Sequence, residues 1–181
     1  HLNEYISLDV EMVLEPLSVM GITPLEQLLA LEWRFLHYLK EGFDFSLCDG
    51  DILSLRVSDA MDILGSNNQD PSSEQEAELG RWANEEHKSD ALFLTHYHRD
   101  ARPFYTKISD DGVHTESFDC IFKGTEITSG GQRADKHSDY INAMEAKGID
   151  PSDFKFYLDN FKYGFPVHGG FAIGLERLTA K

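Results

Sequence analysis

The 181-residue sequence lacks any apolar run near the ~20 residues that a membrane-spanning helix requires. It also opens without the apolar stretch of a signal peptide, and these two absences predict a cytoplasmic protein without membrane contact. Its two cysteines are too few for a disulfide framework or a four-thiolate zinc site. Basic residues are scarce, since 16 Lys and Arg face 32 Asp and Glu for a net charge of −16. This balance argues against a protein that binds nucleic acid chiefly through phosphate contacts.

The residues that are present indicate an ordinary globular domain. Hydrophobic residues make up 41% of the chain and aromatic residues 12%, which excludes an acid-rich disordered segment. A length near 180 residues favours a single domain with a sizeable buried core. The sequence contains no internal repeat and no low-complexity segment.

The first dozen residues alternate between apolar and polar side chains, a pattern typical of a β-strand. The apolar side chains lie at even positions. The polar face carries His1, Tyr5, Asp9 and Glu11. Two interpretations fit such a face: it is solvated, as is common in antiparallel sheets, or it binds a ligand, for which a tyrosine between a histidine and acids is better suited.

Capping residues and apolar periodicity predict the remaining elements. We expect strands at Ala91–Thr95, Phe104–Ile108 and Phe118–Lys123, and helices from Thr23 to Gly42, Ser58 to Leu64, Ser73 to His87 and Asp150 to Gly164. In the first and third helices the capping pairs are Thr23 with Glu26 and Ser73 with Glu76. Together these elements predict an α+β fold, in which an antiparallel sheet is flanked by helices and binds its ligand on the polar face.

The segment His96-Tyr97-His98-Arg99-Asp100 resembles the metal-binding signature of metallo-β-lactamase-type hydrolases. Two histidines two residues apart at a strand end can share a metal ion. The histidine expected directly after the aspartate is Ala101 here. We therefore favour a partly exposed strand end over a metal site.

A more informative pair of acids, Asp119 and Glu126, lies seven residues apart. On one unbroken strand this odd spacing would place the two side chains on opposite faces. A turn or bulge at Gly124 would bring the carboxylates together. Converging carboxylates favour a bound cation, and Mg²⁺ held by one or two carboxylates and substrate phosphates is a common solution. The alternative is a hairpin with solvated acids.

Two glycine-rich segments accompany these acids. Gly130 and Gly131 would let a small ligand approach the backbone, and Arg133 could bind a carboxylate through two hydrogen bonds. Near the end of the chain, the glycines up to Gly174 precede a predicted helix that carries Arg177. Such an arrangement suits phosphate groups, although the spacing is neither that of a Rossmann motif nor that of a P-loop.

In this order, the segments resemble the catalytic domain of class II aminoacyl-tRNA synthetases, and among them aspartyl-tRNA synthetases of the archaeal and eukaryotic type. The resemblance covers nearly the whole chain. It rests on His1-Leu2-Asn3-Glu4-Tyr5 with Asp9-Val10-Glu11-Met12, on Arg102-Pro103-Phe104-Tyr105-Thr106, on Phe118 to Arg133, and on Phe161 to Leu178.

The resemblance implies an ATP site with Mg²⁺. His1 would contact the γ-phosphate, Tyr5 would stack on adenine, and Arg177 beside Gly174 would bind the phosphates. Arg177 and Glu126 would be the catalytic residues, with Glu126 also part of the ATP site. The implied Mg²⁺ ligands are Asp119, Glu126 and Ser129.

The resemblance also implies an aspartate site and a tRNA substrate. Asp9 would hold the substrate amino group with Glu11 beside it, and Arg133 would bind the side-chain carboxylate next to Ser129 and Gly130. Activation would form aspartyl-adenylate, which is then transferred to tRNA through parts outside this chain. The full-length protein would be a homodimer.

The chain differs from the family at several positions. Residues 1–181 would form a partial catalytic domain, from the second strand of motif 2 to motif 3, without motif 1 or the anticodon-binding domain. His98 stands where the family has proline, and Ala134-Asp135 stand where it has isoleucine and histidine. Two alternatives follow: a tRNA-independent paralogue, like the archaeal asparagine synthetases, that activates aspartate, or a non-catalytic module that binds aspartate or adenylate.

Overall fold

The structure is a computed structural model and describes residues 4–15 and 21–181. Within these residues, six strands form one sheet in the order β1-β6-β5-β4-β3-β2. The strands are β1 (Ser7–Val13), β2 (Ser54–Arg56), β3 (Ala91–Thr95), β4 (Ser117–Phe122), β5 (Thr125–Gln132) and β6 (His168–Gly174). All neighbouring pairs are antiparallel except β2 with β3. The predicted α+β fold with a mainly antiparallel sheet is confirmed.

The first three helices begin within one residue of their predicted starts, whereas the fourth was not predicted. The helices are α1 (Pro24–Lys40), α2 (Val57–Ile63), α3 (Ser73–His87), α4 (His137–Ala146), α5 (Lys155–Asp159) and α6 (Leu175–Thr179), and 3₁₀ turns lie at Arg99–Ala101, Pro151–Phe154 and Asn160–Tyr163. At the start of α1, the Glu26 N–H donates to the Thr23 hydroxyl and the Glu26 carboxylate accepts the Thr23 N–H, so this capping box is confirmed. Among the described residues, no helix has the length and apolar character to cross a membrane.

Three local predictions were wrong. The segment predicted as one helix from Asp150 to Gly164 is divided into the short α5 and a 3₁₀ turn on each side of it. Residues 104–108 form no strand, because only isolated bridges form there, such as Thr106 with Arg133. The cap of α3 is Ser72 with Gln75, one residue before the predicted pair. Since Glu76 is not used for capping, its carboxylate accepts the backbone N–H of Glu126 instead, at 2.9 Å.

The two faces of the sheet are covered differently. Helix α1 packs its apolar stripe on one face, against side chains such as Phe93, Phe118 and Phe171. Helices α2 and α3 cover the other face over β3, where Leu92 and Leu94 are buried. Beyond them, the part of this second face formed by β1, β5 and β6 is open and lined by polar side chains.

The β4–β5 hairpin determines which side chains reach this open area. Its two-residue turn places Lys123 and Gly124 at φ of 45° and 73°, as a type I′ turn requires. The strands pair Ile121 with Glu126 but Cys120 with Thr128, which leaves Ile127 as an extra, bulged residue.

Turn and bulge have separate consequences. Because paired residues point to the same face, the turn alone places Asp119 and Glu126 on one face, as predicted. The bulge then places Ser129 on that face too, opposite Asp119. Thr128 is turned toward α1.

One carboxyl group is buried between α1 and the sheet. Glu32 is 0% exposed, and its carboxyl oxygen accepts the Thr128 hydroxyl at 2.6 Å. Burial raises the pKa of Glu32 to about 8, against the opposing effect of the Thr128 hydrogen bond. The group is therefore a neutral acid at pH 7.

We expect Glu32 to make folding pH-dependent. Its pKa is about 8 in the folded chain but 4.5 as an unperturbed group, so the folded state binds the additional proton between these values and loses stability as the pH rises. The folding equilibrium constant of the parent should fall about tenfold per pH unit in that range relative to Glu32→Gln. Urea unfolding of both full-length proteins from pH 5 to 8 measures this difference. A constant difference would contradict the prediction.

Candidate active site

Two adjoining cavities occupy the open part of the sheet. The first, about 400 Å³, is lined by residues that include Glu11, Arg102 and Arg133. The second, about 850 Å³, is lined by residues that include Tyr5, Glu126 and Arg177. Asp9, Ser129 and Ala172 line both cavities. Each volume is in the range of small-molecule sites, and the shared wall makes the pair suitable for two ligands that react with each other.

Arg133 lies at the end of β5 and points into the first cavity. Its Nε and Nη2 donate to the two carboxylate oxygens of Glu11, at 3.2 and 2.8 Å. Its guanidinium also lies 5.2 Å from the centre of the Tyr105 ring, which favours a cation. The predicted carboxylate-binding geometry of Arg133 is therefore present, and Glu11 is the carboxylate that occupies it.

A second guanidinium, that of Arg102, borders the same cavity. Its Nη2 lies 2.7 Å from the Asp119 carboxylate and its Nη1 donates to the Ser129 hydroxyl at 3.0 Å. The group stacks on the Tyr97 ring, 3.7 Å from its centre. Asp119 is only 5% exposed, so its main effect on the cavity is to fix the position of the Arg102 guanidinium. Arg102 is held on three sides and is rigidly placed.

Acids and one arginine line the second cavity. Arg177 Nη1 donates to the Glu126 carbonyl at 2.8 Å and lies 3.4 Å from the Glu126 carboxylate. Burial and then the Asp119 carboxylate raise the pKa of Glu126 to about 7, although Arg177 opposes them. Burial also raises the pKa of Glu76. Among the lining residues, Asp9, Glu126 and Glu176 face Arg177 alone, so acidic groups outnumber basic ones here, a condition that a bound cation would relieve.

The remaining predicted residues lie around these groups. Asp9 accepts a hydrogen bond from the Ser7 hydroxyl at 3.0 Å. Tyr5 precedes β1 and is 72% exposed at the edge of the second cavity. Gly174 lines that cavity at the start of α6. His1 lies outside the described residues.

Gly130 has a packing role that the sequence did not suggest. Its backbone lines the first cavity, but a Cβ atom at this position would lie 2.4 Å from the Phe171 Cβ and 2.9 Å from the Phe118 Cε1. The hydrogen in place of a side chain therefore faces the core under α1. The glycine is required there by packing, whereas we had expected it to give a ligand access to the backbone.

The donor set suits a metal ion that arrives with a nucleotide. Among the described side chains, no group of three or more His, Cys, Asp or Glu is arranged to hold a metal ion, the segment His96 to Asp100 included. Mg²⁺ that is bound through phosphates needs only one or two protein carboxylates. Glu126 and Ser129 line the second cavity, with Asp119 behind them. Burial and then the Asp119 carboxylate raise the pKa of Glu126, and a bound cation would stabilise its charged form.

Three residues of the site had no assigned role in the sequence analysis. Arg102 and Tyr105 belong to a segment that was recognised only as a family motif, and Glu76 was assigned to a helix cap. The available signal was an arginine directly before Pro103 and a tyrosine two residues after it. Their function depends on long-range contacts, from Arg102 to Asp119 and from Tyr105 to Arg133, which no local pattern reveals.

Comparisons with known proteins identify the family of the chain. The family model of class II tRNA synthetases (D, K and N) matches residues 1–181. An aspartate–tRNA(Asp/Asn) ligase of Thermus thermophilus is 44% identical over all of this chain. The aspartyl-tRNA synthetase of Entamoeba histolytica superposes with a TM-score of 0.87, at 26% identity over 99% of the chain. An asparaginyl-tRNA synthetase of Pyrococcus horikoshii in complex with asparaginyl-adenylate gives 0.74, at 28% identity over 99%.

The matched proteins are longer than this chain. It spans 45% of the Thermus relative, 40% of the Entamoeba structure and 44% of the Pyrococcus structure. The match nevertheless includes every strand and helix described above, and the sequence resemblance had pointed to the same group. The chain belongs to the class II tRNA synthetases of the D, K and N group.

Proposed function

We propose that the full-length protein is an aspartate–tRNA ligase, which activates aspartate with ATP and transfers it to tRNA. Residues 1–181 would supply the catalytic domain from the second strand of motif 2 to motif 3. The observation that carries the proposal is the pair of cavities with a common wall at Asp9 and Ser129. One cavity presents two arginines to an acidic amino acid, and the other has the size of a nucleotide site and an excess of acids that a metal ion arriving with the nucleotide would balance.

The first cavity suits aspartate. Arg133 presents a planar pair of donors that matches a carboxylate, as its contact with Glu11 demonstrates. The substrate side chain would replace the Glu11 carboxylate in this contact. Asp9, on the shared wall, would bind the ammonium group. Arg102 would add positive potential beside the same cavity.

The second cavity suits ATP. Tyr5 would stack on the adenine, and Arg177 would bind phosphate oxygens once they replace the Glu126 contact. Mg²⁺, when bound with ATP, would neutralise phosphate charge. Glu126 and Ser129 would hold it.

The proposed chemistry requires little acid–base catalysis. An oxygen of the α-carboxylate of aspartate attacks the α-phosphorus of ATP. The new P–O bond forms, and the bond from this phosphorus to the bridging oxygen breaks as pyrophosphate leaves. The chain's contribution is to align the attacking oxygen across the shared wall and to stabilise the charge of the transition state with Arg177.

Transfer to tRNA, a homodimeric assembly and a cytoplasmic location are part of the same proposal. The relatives that match the whole chain carry the name aspartate–tRNA ligase. These names favour tRNA charging over the tRNA-independent paralogue and over the non-catalytic module. The structural similarity to an asparaginyl-tRNA synthetase keeps asparagine as the competing substrate to be tested.

Pyrophosphate exchange into ATP tests the proposal directly. The full-length protein should incorporate labelled pyrophosphate when aspartate is present and not with asparagine or without an amino acid. Charging of tRNA(Asp) should follow with the same preference. Exchange with asparagine alone would assign the other amino acid, and ATP binding without any exchange would support a non-catalytic module.

A further inference from the structure

Glu32 is the one carboxyl group of the described chain that is wholly buried under the sheet, on the face opposite the cavities. It lies on α1 within the apolar stripe that includes Leu28, Leu29 and Leu36. An acid in such a position costs folding free energy because its charged form is removed from water. The role of this residue is therefore to be sought in the active site, and not in stability.

The contacts of Glu32 are with one cross-strand pair of residues in the β4–β5 hairpin. One oxygen accepts the Thr128 hydroxyl at 2.6 Å, and the group also interacts with the Cys120 thiol. Thr128 and Cys120 are paired across the two strands. The second oxygen, Oε2, is buried without a hydrogen-bond partner among the described residues. Glu32 therefore makes one strong contact, and that contact is to Thr128.

The neighbouring cross-strand pair of the hairpin is part of the candidate active site. It pairs Asp119 with Ser129, which face the cavities. The bulge at Ile127 is what turns Thr128 toward α1 and Ser129 toward the cavities. If the geometry of the bulge relaxed locally, Thr128 would turn away from α1 and Ser129 would turn away from the cavities.

We propose that Glu32 is a positioning residue, which maintains the Ile127 bulge through Thr128 and so places Ser129 for ATP with its metal ion. This inference rests on the proposed function, because it assumes that the second cavity binds the nucleotide. It assigns no catalytic chemistry to Glu32. The aspartate site should change less, because Arg133 at the end of β5 is held separately by the hydrogen bond from its N–H to the His168 carbonyl and by its bridge to Thr106.

Variants of both partners in the full-length protein test the proposal. Glu32→Leu removes the acceptor, and Thr128→Val removes the donor while keeping its shape. Each should raise the KM for ATP about tenfold or more in pyrophosphate exchange and increase the Mg²⁺ requirement, with the KM for aspartate changed less than about threefold. The double variant should lose no more than the larger single loss, because both changes remove one contact.

Glu32→Gln is the matched control. As burial keeps the acid neutral at pH 7, the amide reproduces its shape, its charge and its acceptor for Thr128. It should retain an ATP KM within about threefold of the parent. Thermal unfolding shows whether each variant is folded, and Thr128→Val, the smaller change, decides the outcome if Glu32→Leu does not fold.

Several results would overturn the proposal. An unchanged ATP KM in folded Thr128→Val would do so, as would an equal rise in the KM values for ATP and aspartate, which indicates a structural role alone. If the parent catalyses no exchange, the proposed function fails separately. Direct MgATP binding by calorimetry then tests Glu32, and equal affinity of parent and Thr128→Val would refute its role.

Discussion

Arg133→Ala in the full-length protein is expected to reduce aspartate-dependent pyrophosphate exchange by about 100- to 1000-fold. Truncating one member of a close, partly buried charge pair costs roughly 2–5 kcal/mol, and Arg133 is the group that forms a two-point contact with a carboxylate in the first cavity. The loss should be seen chiefly in kcat/KM for aspartate. The KM for ATP should change little, because Arg133 does not line the second cavity.

Two further variants make this prediction specific. Arg133→Lys keeps the charge but not the planar pair of donors, and should recover only part of the activity. Arg81→Ala removes an exposed arginine from α3, away from both cavities, and should retain parental exchange. Near-normal exchange by Arg133→Ala would remove Arg133 from the aspartate site.

The contact between Glu11 and Arg133 would also affect the affinity for the substrate. The Glu11 carboxylate occupies the donors of Arg133, so under the proposed function aspartate would compete with a group of the same chemistry. Part of the intrinsic affinity is therefore used to displace Glu11. The same competition excludes ligands that cannot offer a carboxylate, since an amide would exchange a charged partner for a neutral one. Discrimination between aspartate and asparagine thus has a physical basis in this pair.

The sequence predicted those parts of the site that depend on local pattern. The alternation of β1 placed Asp9 and Glu11 on one face, and the turn at Gly124 was sufficient to bring Asp119 and Glu126 to a common face. The bulge at Ile127 could not be predicted in the same way. An isoleucine is an ordinary strand residue, and its unpaired position follows from packing between α1 and the hairpin.

The groups that the sequence missed depend on tertiary contacts. Residues 104–108 have the apolar composition of a strand, yet their neighbours leave them only isolated bridges, and Arg102 is thereby free to enter the sheet face beside Asp119. The buried state of Glu32 was equally hidden, because a glutamate within a helix is usually exposed. In both cases an ionisable residue lies where only the assembled sheet provides its partner.

Arg102→Ala should destabilise the full-length protein by about 3–5 kcal/mol, because it leaves the Asp119 carboxylate buried without its counter-ion. The stacking on Tyr97 would be lost as well. Urea unfolding measures the loss. Arg102→Lys should be intermediate, since an ammonium group cannot contact Asp119 and Ser129 while also stacking on the ring.

The Asp119→Asn background separates the ion pair from simple loss of side-chain volume. If charge pairing is the main effect, Arg102→Ala should cost much less in Asp119→Asn than in the parent, and the two changes should be strongly non-additive. Equal costs in both backgrounds would assign the loss to packing against Tyr97. A parental stability of Arg102→Ala would mean that Asp119 is neutralised or solvated without Arg102, and Asp119 would then be open to a metal ion directly.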